Sequence, residues 1–373
     1  MDGSVVTDTA GCTFMSNVAT GGGGGGVYCI SASSYTGTKT KFTMNTAATN
    51  GGALSLDNST LQVTTGSFDQ NTASSSHGGA VHSTGGIIDV NGSSFTSNTA
   101  GAQGGAIASE GGTLSLGSDT FESNVANSSG GAIWASSSST WGLADGLAFL
   151  SNVATSSGGG VWTGAAVTFS TACNFTSNTA LMGGGMTMDG SVVTDTAGCT
   201  FMSNVATGGG GGGVYCISAS SYTGTKTKFT MNTAATNGGA LSLDNSTLQV
   251  TTGSFDQNTA SSSHGGAVHS TGGIIDVNGS SFTSNTAGAQ GGAIASEGGT
   301  LSLGSDTFES NVANSSGGAI WASSSSTWGL ADGLAFLSNV ATSSGGGVWT
   351  GAAVTFSTAC NFTSNTALMG GGM

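Results

Sequence analysis

Proline and arginine are missing from this 373-residue sequence, and lysine occurs at only four positions. Charged residues make up 6% of the chain, whereas about 25% is usual for a soluble domain. The lack of proline is compatible with continuous sheets, because each strand inside a sheet must donate backbone N–H groups to its neighbours. The scarcity of basic residues and the net charge of −14 argue against nucleic acid as a partner, since phosphate recognition depends on Arg and Lys.

Long apolar runs are also missing, so we expect no transmembrane helix. The chain does not open with the basic and apolar pattern of a signal peptide. Apolar residues instead recur in short alternating runs, for example over residues 53–56 and 87–90. Such runs, separated by Gly-rich and Ser-rich stretches, predict short strands joined by many turns rather than a disordered chain.

The chain consists of two copies of one long repeat. Residues 1–186 recur without a change as residues 188–373, and Thr187 joins them. We therefore predict two domains, residues 1–187 and residues 188–373, each a β-helix copy of seven coils that continues into the other. We expect the chain to be a window on a longer array.

A shorter repeat of about 27 residues lies inside the long one. The motif Phe-x-x-Asn occurs seven times per copy at spacings of 26 to 28, and Ala follows each Asn two residues later. A glycine pair with an apolar residue comes next, as in Gly78-Gly79-Ala80-Val81, and a third apolar run precedes the next Phe. The motif residues of the first copy are Phe14, Asn17, Phe42, Asn45, Phe68, Asn71, Phe95, Asn98, Phe121, Asn124, Phe149, Asn152, Phe175 and Asn178.

Each unit thus holds three short strands and three turns, and it cannot bury its apolar face unless its neighbours stack on it. We predict an all-β fold, a right-handed single-stranded parallel β-helix of about 14 coils. In this fold the Phe side chains fill the interior one above another, and the Asn side chains can bond between coils. Asn also tolerates the left-handed backbone conformation of a tight turn. The Gly pairs turn corners with positive φ and let coils approach closely.

The pattern of Gly-Gly-Ala-(Ile/Leu/Val) and Phe-x-x-Asn resembles the repeats of chlamydial polymorphic outer-membrane proteins. Similar repeats occur in β-helical surface proteins of other microbes and some protists. The resemblance covers essentially the whole chain and implies a right-handed β-helix with a surface, adhesive or scaffolding role.

Three cysteines occur in each copy. Cys173 and Cys199 both lie two residues before a motif Phe, so they hold the same position in successive coils, and we predict a disulfide between them. By the same reasoning Cys12 and Cys360 are candidates for bridges to further copies. The alternative is that these are small buried apolar residues, as we expect for Cys29, which occupies the position of Leu56.

Four Asn-x-Ser/Thr sequons occur per copy and are candidate N-glycosylation sites. The asparagines of the Phe-x-x-Asn motif are all followed two residues later by Ala, so they do not form a sequon. The candidate sites are Asn58, Asn91, Asn127, Asn174, Asn245, Asn278, Asn314 and Asn361.

The titratable residues do not predict an active site. Polysaccharide-cleaving β-helices need paired acids with basic residues, whereas Asp69, Asp89, Asp119 and Asp145 are spread over separate coils and are expected to be solvated. His77 and His82 flank a Gly corner and are interpreted as surface or turn residues, with a metal pair as the alternative. We predict no catalytic residue, no metal and no cofactor.

Trp134 and Trp162 follow a Gly corner and are expected to face outward, where they cover the coil or contact a neighbour or a sugar ring. The resulting hypothesis is a structural segment of an extracellular or cell-surface fibre or stalk, whose partners are further copies of itself end to end and covalent glycans. The alternative is a binding module of the adhesin passenger type. An ice-binding protein and a polysaccharide-acting enzyme are weaker candidates.

Overall fold

The computed structural model describes residues 1–329 and 331–373 in full and Leu330 by its backbone only. The chain divides into two compact units, Met1–Leu181 and Met182–Met373. The predicted boundary at residue 187 rests on the identity of the two repeat copies in the sequence, and it stays a prediction. Both units are all-β.

The first unit contains 27 short strands. Four consecutive strands make one coil. The strands are β1 Val5–Asp8, β2 Thr13–Met15, β3 Val18–Ala19, β4 Val27–Cys29, β5 Ser34–Thr38, β6 Lys41–Thr43, β7 Thr46–Ala47, β8 Leu54–Asp57, β9 Thr60–Thr64, β10 Ser67–Asp69, β11 Thr72–Ala73, β12 Val81–Thr84, β13 Ile87–Asn91, β14 Ser94–Thr96, β15 Thr99–Ala100, β16 Ile107–Glu110, β17 Gly112–Gly117, β18 Thr120–Glu122, β19 Val125–Ala126, β20 Ile133–Ala135, β21 Ser139–Asp145, β22 Ala148–Leu150, β23 Val153–Ala154, β24 Val161–Thr163, β25 Val167–Phe169, β26 Asn174–Thr176 and β27 Thr179–Ala180.

The second unit repeats this order. Its strands are β28 Met186–Asp189, β29 Val192–Asp195, β30 Thr200–Met202, β31 Val205–Ala206, β32 Val214–Ile217, β33 Ser221–Thr225, β34 Lys228–Thr230, β35 Thr233–Ala234, β36 Leu241–Asp244, β37 Thr247–Thr251, β38 Ser254–Asp256, β39 Thr259–Ala260, β40 Val268–Thr271, β41 Ile274–Asn278, β42 Ser281–Thr283, β43 Thr286–Ala287, β44 Ile294–Glu297, β45 Gly299–Gly304, β46 Thr307–Glu309, β47 Val312–Ala313, β48 Ile320–Ala322, β49 Ser326–Asp332, β50 Ala335–Leu337, β51 Val340–Ala341, β52 Val348–Thr350 and β53 Asn361–Thr363.

Strands that hold the same place in successive coils pair in parallel, which confirms the β-solenoid. In the first unit, the Phe sheet runs β2-β6-β10-β14-β18-β22-β26, the Asn-corner sheet runs β3-β7-β11-β15-β19-β23-β27, and the Gly sheet runs β4-β8-β12-β16-β20-β24. The fourth sheet runs β1-β5-β9-β13-β17-β21. The register follows the short repeat, so that Phe68 pairs with both Phe42 and Phe95.

Each coil has four strands where the sequence pattern predicts three. The additional strand is the two-residue segment after the motif Asn, such as Thr72–Ala73, which pairs with Thr46–Ala47 and Thr99–Ala100. A two-residue strand carries one inward residue, so it leaves no alternation of its own in the sequence.

The core of each unit is a column of Phe rings that lie one above another. In the first unit the ring centroids of neighbours are 4.4 to 5.2 Å apart and the planes differ by at most 18°. Rings at this separation gain from stacking in addition to burial. From Phe42 to Phe175 the motif rings are fully buried.

All four corners of a coil use left-handed backbone, as at Gly85, Gly92, Ser97 and Gly104. At the Asn corner the residue before the Asn has positive φ, for example Ser97 at 55°, so the tolerance of Asn for this conformation is not used there. The Asn needs its amide for bonding between coils. At the Gly corner the first glycine has positive φ, as in Gly78 at 67°. A Cβ on the second, Gly79, would lie 2.1 Å from the Gly105 carbonyl oxygen, so both glycine roles follow the prediction.

Candidate functional site

The asparagines of the Phe-x-x-Asn motif form a buried ladder in each unit. Asn98 is a representative member and is fully buried. Its Nδ2 donates to Asn124 Oδ1 at 3.0 Å and to the Phe68 carbonyl oxygen at 2.9 Å. Its Oδ1 accepts from the Asn71 backbone N–H and from Asn71 Nδ2, both at 3.0 Å.

Every hydrogen-bonding position of the Asn98 amide is therefore used, two as donor and two as acceptor. A buried amide is expensive unless it is bonded, and here each bond also satisfies a group of the neighbouring coil. The same arrangement joins the asparagines from Asn17 to Asn178 and, in the second unit, from Asn204 to Asn365. This ladder is structural, since none of its polar atoms is left for a ligand.

The Gly sheet carries the most varied polar surface of the first unit. We call it the outer patch and define it as His77, His82, Glu110, Trp134 and Trp162. His77 precedes a Gly corner, whereas His82 lies in β12, Glu110 ends β16, and the two Trp residues occupy equivalent positions of β20 and β24. Stacking of coils therefore brings together residues that are far apart in sequence.

Glu110 lies between the two imidazole rings. Its Oε1 is 3.3 Å from His82 Nε2 and 3.8 Å from His77 Nε2. The hydrogen bond from His82 is the main reason that the pKa of Glu110 is below its usual value, and burial opposes this shift. His82 is 4% exposed and the Glu110 side chain is 39% exposed, so a buried imidazole meets a carboxylate that solvent still reaches.

The bonding of His77 determines its tautomer. The Gln103 backbone N–H donates to His77 Nδ1 at 3.3 Å, so the neutral ring carries its proton on Nε2 and directs it toward Glu110. A metal ion bound at Nε2 needs that nitrogen without its proton. Among the described residues, no group of three or more His, Cys, Asp or Glu side chains could hold a metal ion.

The two indole rings of the outer patch contact each other. Trp134 and Trp162 stack with centroids 5.4 Å apart, and the other face of Trp134 is turned to the His77 ring at 6.2 Å. Both Trp side chains are partly exposed. Because both faces of Trp134 are occupied, this ring offers an edge to solvent, which favours the interpretation that it covers the coil over that of a sugar-stacking platform.

The second unit contains the same patch. His269 Nε2 lies 3.3 Å from Glu297 Oε1 and His264 Nε2 lies 3.7 Å from it. Trp321 and Trp349 stack with centroids 5.6 Å apart. The arrangement is therefore a property of the repeat.

Asp119 is a buried acid, so the expectation that it is solvated is wrong. It is 0% exposed, and its carboxylate accepts the Ser93 N–H at 2.7 Å and the Gly117 N–H at 3.0 Å. Burial raises its pKa to about 7, and the two backbone bonds oppose the shift. Asp69, Asp89 and Asp145 are partly exposed, as is usual for single acids on a coil surface. Asp306 of the second unit is equivalent to Asp119.

The structure contains no disulfide bond among its described residues. The bridge between Cys173 and Cys199, and those of Cys12 and Cys360 to further copies, are therefore not supported by it and stay predictions. Cys173 and Cys199 are buried, Cys12 is exposed and Cys360 is partly exposed. Cys29 is buried and pairs in register with Leu56.

All eight sequon asparagines are exposed, whereas the ladder asparagines from Asn45 to Asn178 are buried. The surroundings of the individual sequon asparagines differ. Asn91 Nδ2 lies so close to Gly117 that a Cβ there would be 2.6 Å away, and Asn174 Oδ1 accepts from the Thr176 hydroxyl at 2.9 Å. Whether any of them carries a glycan stays a prediction.

Glu110 was not expected to take part in a site, although a signal for it exists. It follows His82 by the length of one coil, so a search for polar residues one coil apart would have found the pair. Asp119 offers no comparable signal, because its burial depends on the shape of its corner.

No helix capable of crossing a bilayer occurs among the described residues.

The curated proteins and the solved structures contain no significant match to the chain. The Chlamydia polymorphic membrane protein (Chlamydia_PMP) repeat, in contrast, matches residues 92–110, 120–136, 279–297 and 307–323. Each match spans a motif Phe, its Asn and the following Gly corner. The chain is thus a parallel β-solenoid in which four segments are similar to the Chlamydia polymorphic membrane protein repeat, a combination that fits a cell-surface protein with a passenger-like role.

Proposed function

We propose that the chain is a structural segment of an extracellular or cell-surface fibre or stalk, built of tandem β-helix repeats that extend head to tail. It has no enzymatic role in this proposal. The observation that carries it is the Asn ladder, which repeats the same bonds from coil to coil in each unit. Stability of this kind depends on nearest-neighbour contacts and does not decline as coils are added.

The outward side chains support the same function. Among the described residues no group of three or more His, Cys, Asp or Glu side chains could hold a metal ion, and within the outer patch Glu110 is paired with His82. Small hydroxyl and amide side chains dominate the remaining surface, and the exposed sequons would allow a glycan coat. A surface of this kind suits a spacer that projects another domain.

The length of engineered arrays tests the proposal. Chains with two, four and six copies of the long repeat would be compared by negative-stain electron microscopy and small-angle X-ray scattering. Fourteen additional coils at about 4.8 Å each predict rods that lengthen by roughly 65 to 70 Å per two copies at constant width. Particles whose width grows with copy number, or whose length does not, would overturn the proposal.

An adhesin passenger is the second candidate function. The outer patch favours it, because partly exposed aromatic and imidazole groups recur once per copy, which would give a multivalent surface. A cell-binding assay would compare the chain with a Trp134→Ala/Trp321→Ala variant. Strong binding that this variant loses supports the adhesin, whereas equal and weak binding by both supports the spacer.

A further inference from the structure

A second ladder of polar groups runs along the Gly corner, at the position just before the first glycine of each pair. It is less regular than the Asn ladder, because the residue type changes from coil to coil. In the first unit the position is occupied by Gly23, Asn50, His77, Gln103, Ser129 and Ser157 in chain order.

Two rungs of this ladder are bonds from a backbone N–H to a side chain of the preceding coil. The His77 N–H donates to Asn50 Oδ1 at 3.1 Å, and the Gln103 N–H donates to His77 Nδ1 at 3.3 Å. The second unit has the same pair, from His264 to Asn237 at 3.1 Å and from Gln290 to His264 at 3.3 Å. The His77 side chain thus accepts the Gln103 N–H in the same way as the Asn50 side chain accepts the His77 N–H.

The two acceptors differ in their response to a proton. The side-chain Oδ1 of Asn50 accepts a hydrogen bond at every physiological pH. The His77 Nδ1 accepts only as long as the ring is neutral, because both nitrogens of an imidazolium are donors. Protonation of His77 would place two N–H groups against each other and leave the Gln103 N–H without its acceptor.

The charged and titratable neighbours of His77 are Glu110 from β16 and His82 from β12, and the Trp134 ring from β20 covers it. Burial lowers the pKa of His77, Glu110 opposes this shift and His82 adds to it. The neutral, accepting form is therefore the one that the folded state favours.

We propose that His77 and His264 are acid-sensitive rungs of the Gly-corner ladder: protonation of the imidazole releases the Gln103 and Gln290 amides and loosens this corner, while the Asn and Phe columns hold the coils together. This device goes beyond the proposed function as a spacer. It makes one corner of each copy responsive to acidification without unfolding the solenoid.

Selective labelling with ¹⁵N-glutamine tests the device in the full chain. The labelled backbone amides of one copy are those of Gln62, Gln70 and Gln103. Gln70 donates to the Thr96 carbonyl oxygen at 2.9 Å, an acceptor that does not titrate, so it is an internal control. Amide exchange would be measured between pH 8 and pH 5 and corrected for the intrinsic pH dependence of exchange.

We expect the protection of Gln103 to fall at least tenfold relative to Gln70 over this range, with a chemical-shift titration of a single proton. The variant His77→Asn/His264→Asn places the acceptor of Asn50 at this rung, and we expect its Gln103 protection to be independent of pH. The variant Glu110→Gln/Glu297→Gln should move the midpoint to lower pH, because Glu110 favours the imidazolium. Protection of Gln103 that follows Gln70 in the wild type, or a transition that persists in the His77→Asn/His264→Asn variant, would overturn the proposal.

Discussion

The Asn ladder and the outer patch show two ways in which the same stacked backbone can be used. At the Asn corner one residue type recurs in every coil, and its bonds are the same along each unit. On the Gly sheet the register is equally regular, yet His82, Ala108 and Trp134 pair with one another in successive coils. The ladder is buried and uniform, whereas the patch is partly exposed and specific to a few coils.

The difference shows where this protein can vary. A buried Asn bonds to identical partners above and below, so a change at one coil breaks side-chain hydrogen bonds to both neighbouring coils. An outward residue of the Gly sheet contacts its neighbours mainly through side-chain surface and can be replaced at lower cost. Uniform columns therefore maintain the fold, and variable columns are available for recognition or regulation.

The largest expected effect is that of Phe95→Ala. The ring is fully buried and stacks between Phe68 and Phe121. Its loss should lower the free energy of unfolding by about 3 to 5 kcal/mol through lost burial and a cavity. Trp134→Ala, on the patch, should cost about 1 kcal/mol. Urea unfolding monitored by circular dichroism compares the two, and equal costs would contradict the distinction between inner and outer columns.

Asn98→Ala should destabilise the chain by about 3 kcal/mol, because the buried Asn71 N–H groups and the Phe68 carbonyl oxygen lose the bonds that the Asn98 side chain makes. Asn127→Ala is the matched control, since Asn127 is exposed and is not among the residues with positive φ, and surface substitutions of this kind usually change stability by less than about 0.5 kcal/mol. The same unfolding assay applies. A ladder variant as stable as the control would show that the ladder bonds contribute little.

The buried acids should make stability depend on pH. The pKa of Asp119 is raised to about 7 in the folded state from an ordinary value of 3.8, so the folded chain binds the proton more tightly. Stability is then greatest below pH 4, falls as the pH rises to 7 and is constant above it. Between pH 5 and pH 8 we expect a loss of about 2 kcal/mol per site.

The urea midpoint measured across this range checks the prediction. In an Asp119→Asn/Asp306→Asn variant the dependence that these acids cause should disappear. The variant is less stable, because the two backbone N–H groups bond to different carboxylate oxygens and an amide has an oxygen in only one of these places. A wild-type midpoint that rises with pH over this range would reverse the sign of the argument.

The smallest expected effect is that of Glu110→Gln on the patch. The carboxylate is 39% exposed and meets one buried imidazole, so solvent screens much of the interaction. We expect a loss below about 1 kcal/mol at pH 7. Glu122→Gln, the same change at an exposed acid, is the matched control, and a loss at Glu110 several times larger than predicted would place Glu110 among the residues that maintain the fold.

Much of the fold follows from the repeat itself. The Phe column, the Gly corners and the parallel register could be predicted, because a unit this short can bury its apolar face only by stacking on its neighbours. The fourth strand was not predicted, because a segment as short as Thr72–Ala73 shows no alternation of apolar and polar residues. Asn tolerates the left-handed conformation, yet at this corner the preceding residue adopts it, as Ser97 does, and the sequence carries no signal for that choice.

The candidate site was harder to predict from the sequence. Glu110 and the two histidines converge only after stacking, and the separation of one full coil between His82 and Glu110 carries no local pattern. Asp119 looks like any other surface acid in the sequence. Its corner is closed by Ser93 and Gly117, and only the folded chain shows this.

The sequence by itself determined the period, the identity of the stacked columns and the direction of pairing, because each of these depends on the spacing of residues along the chain. The tertiary structure decided which side chains are dry, which tautomer His77 adopts and which acid is paired. Those properties depend on neighbours one coil away, and coils of slightly unequal length place their corners differently. Burial and proton affinity follow from that local shape, whereas stacking follows from the repeat.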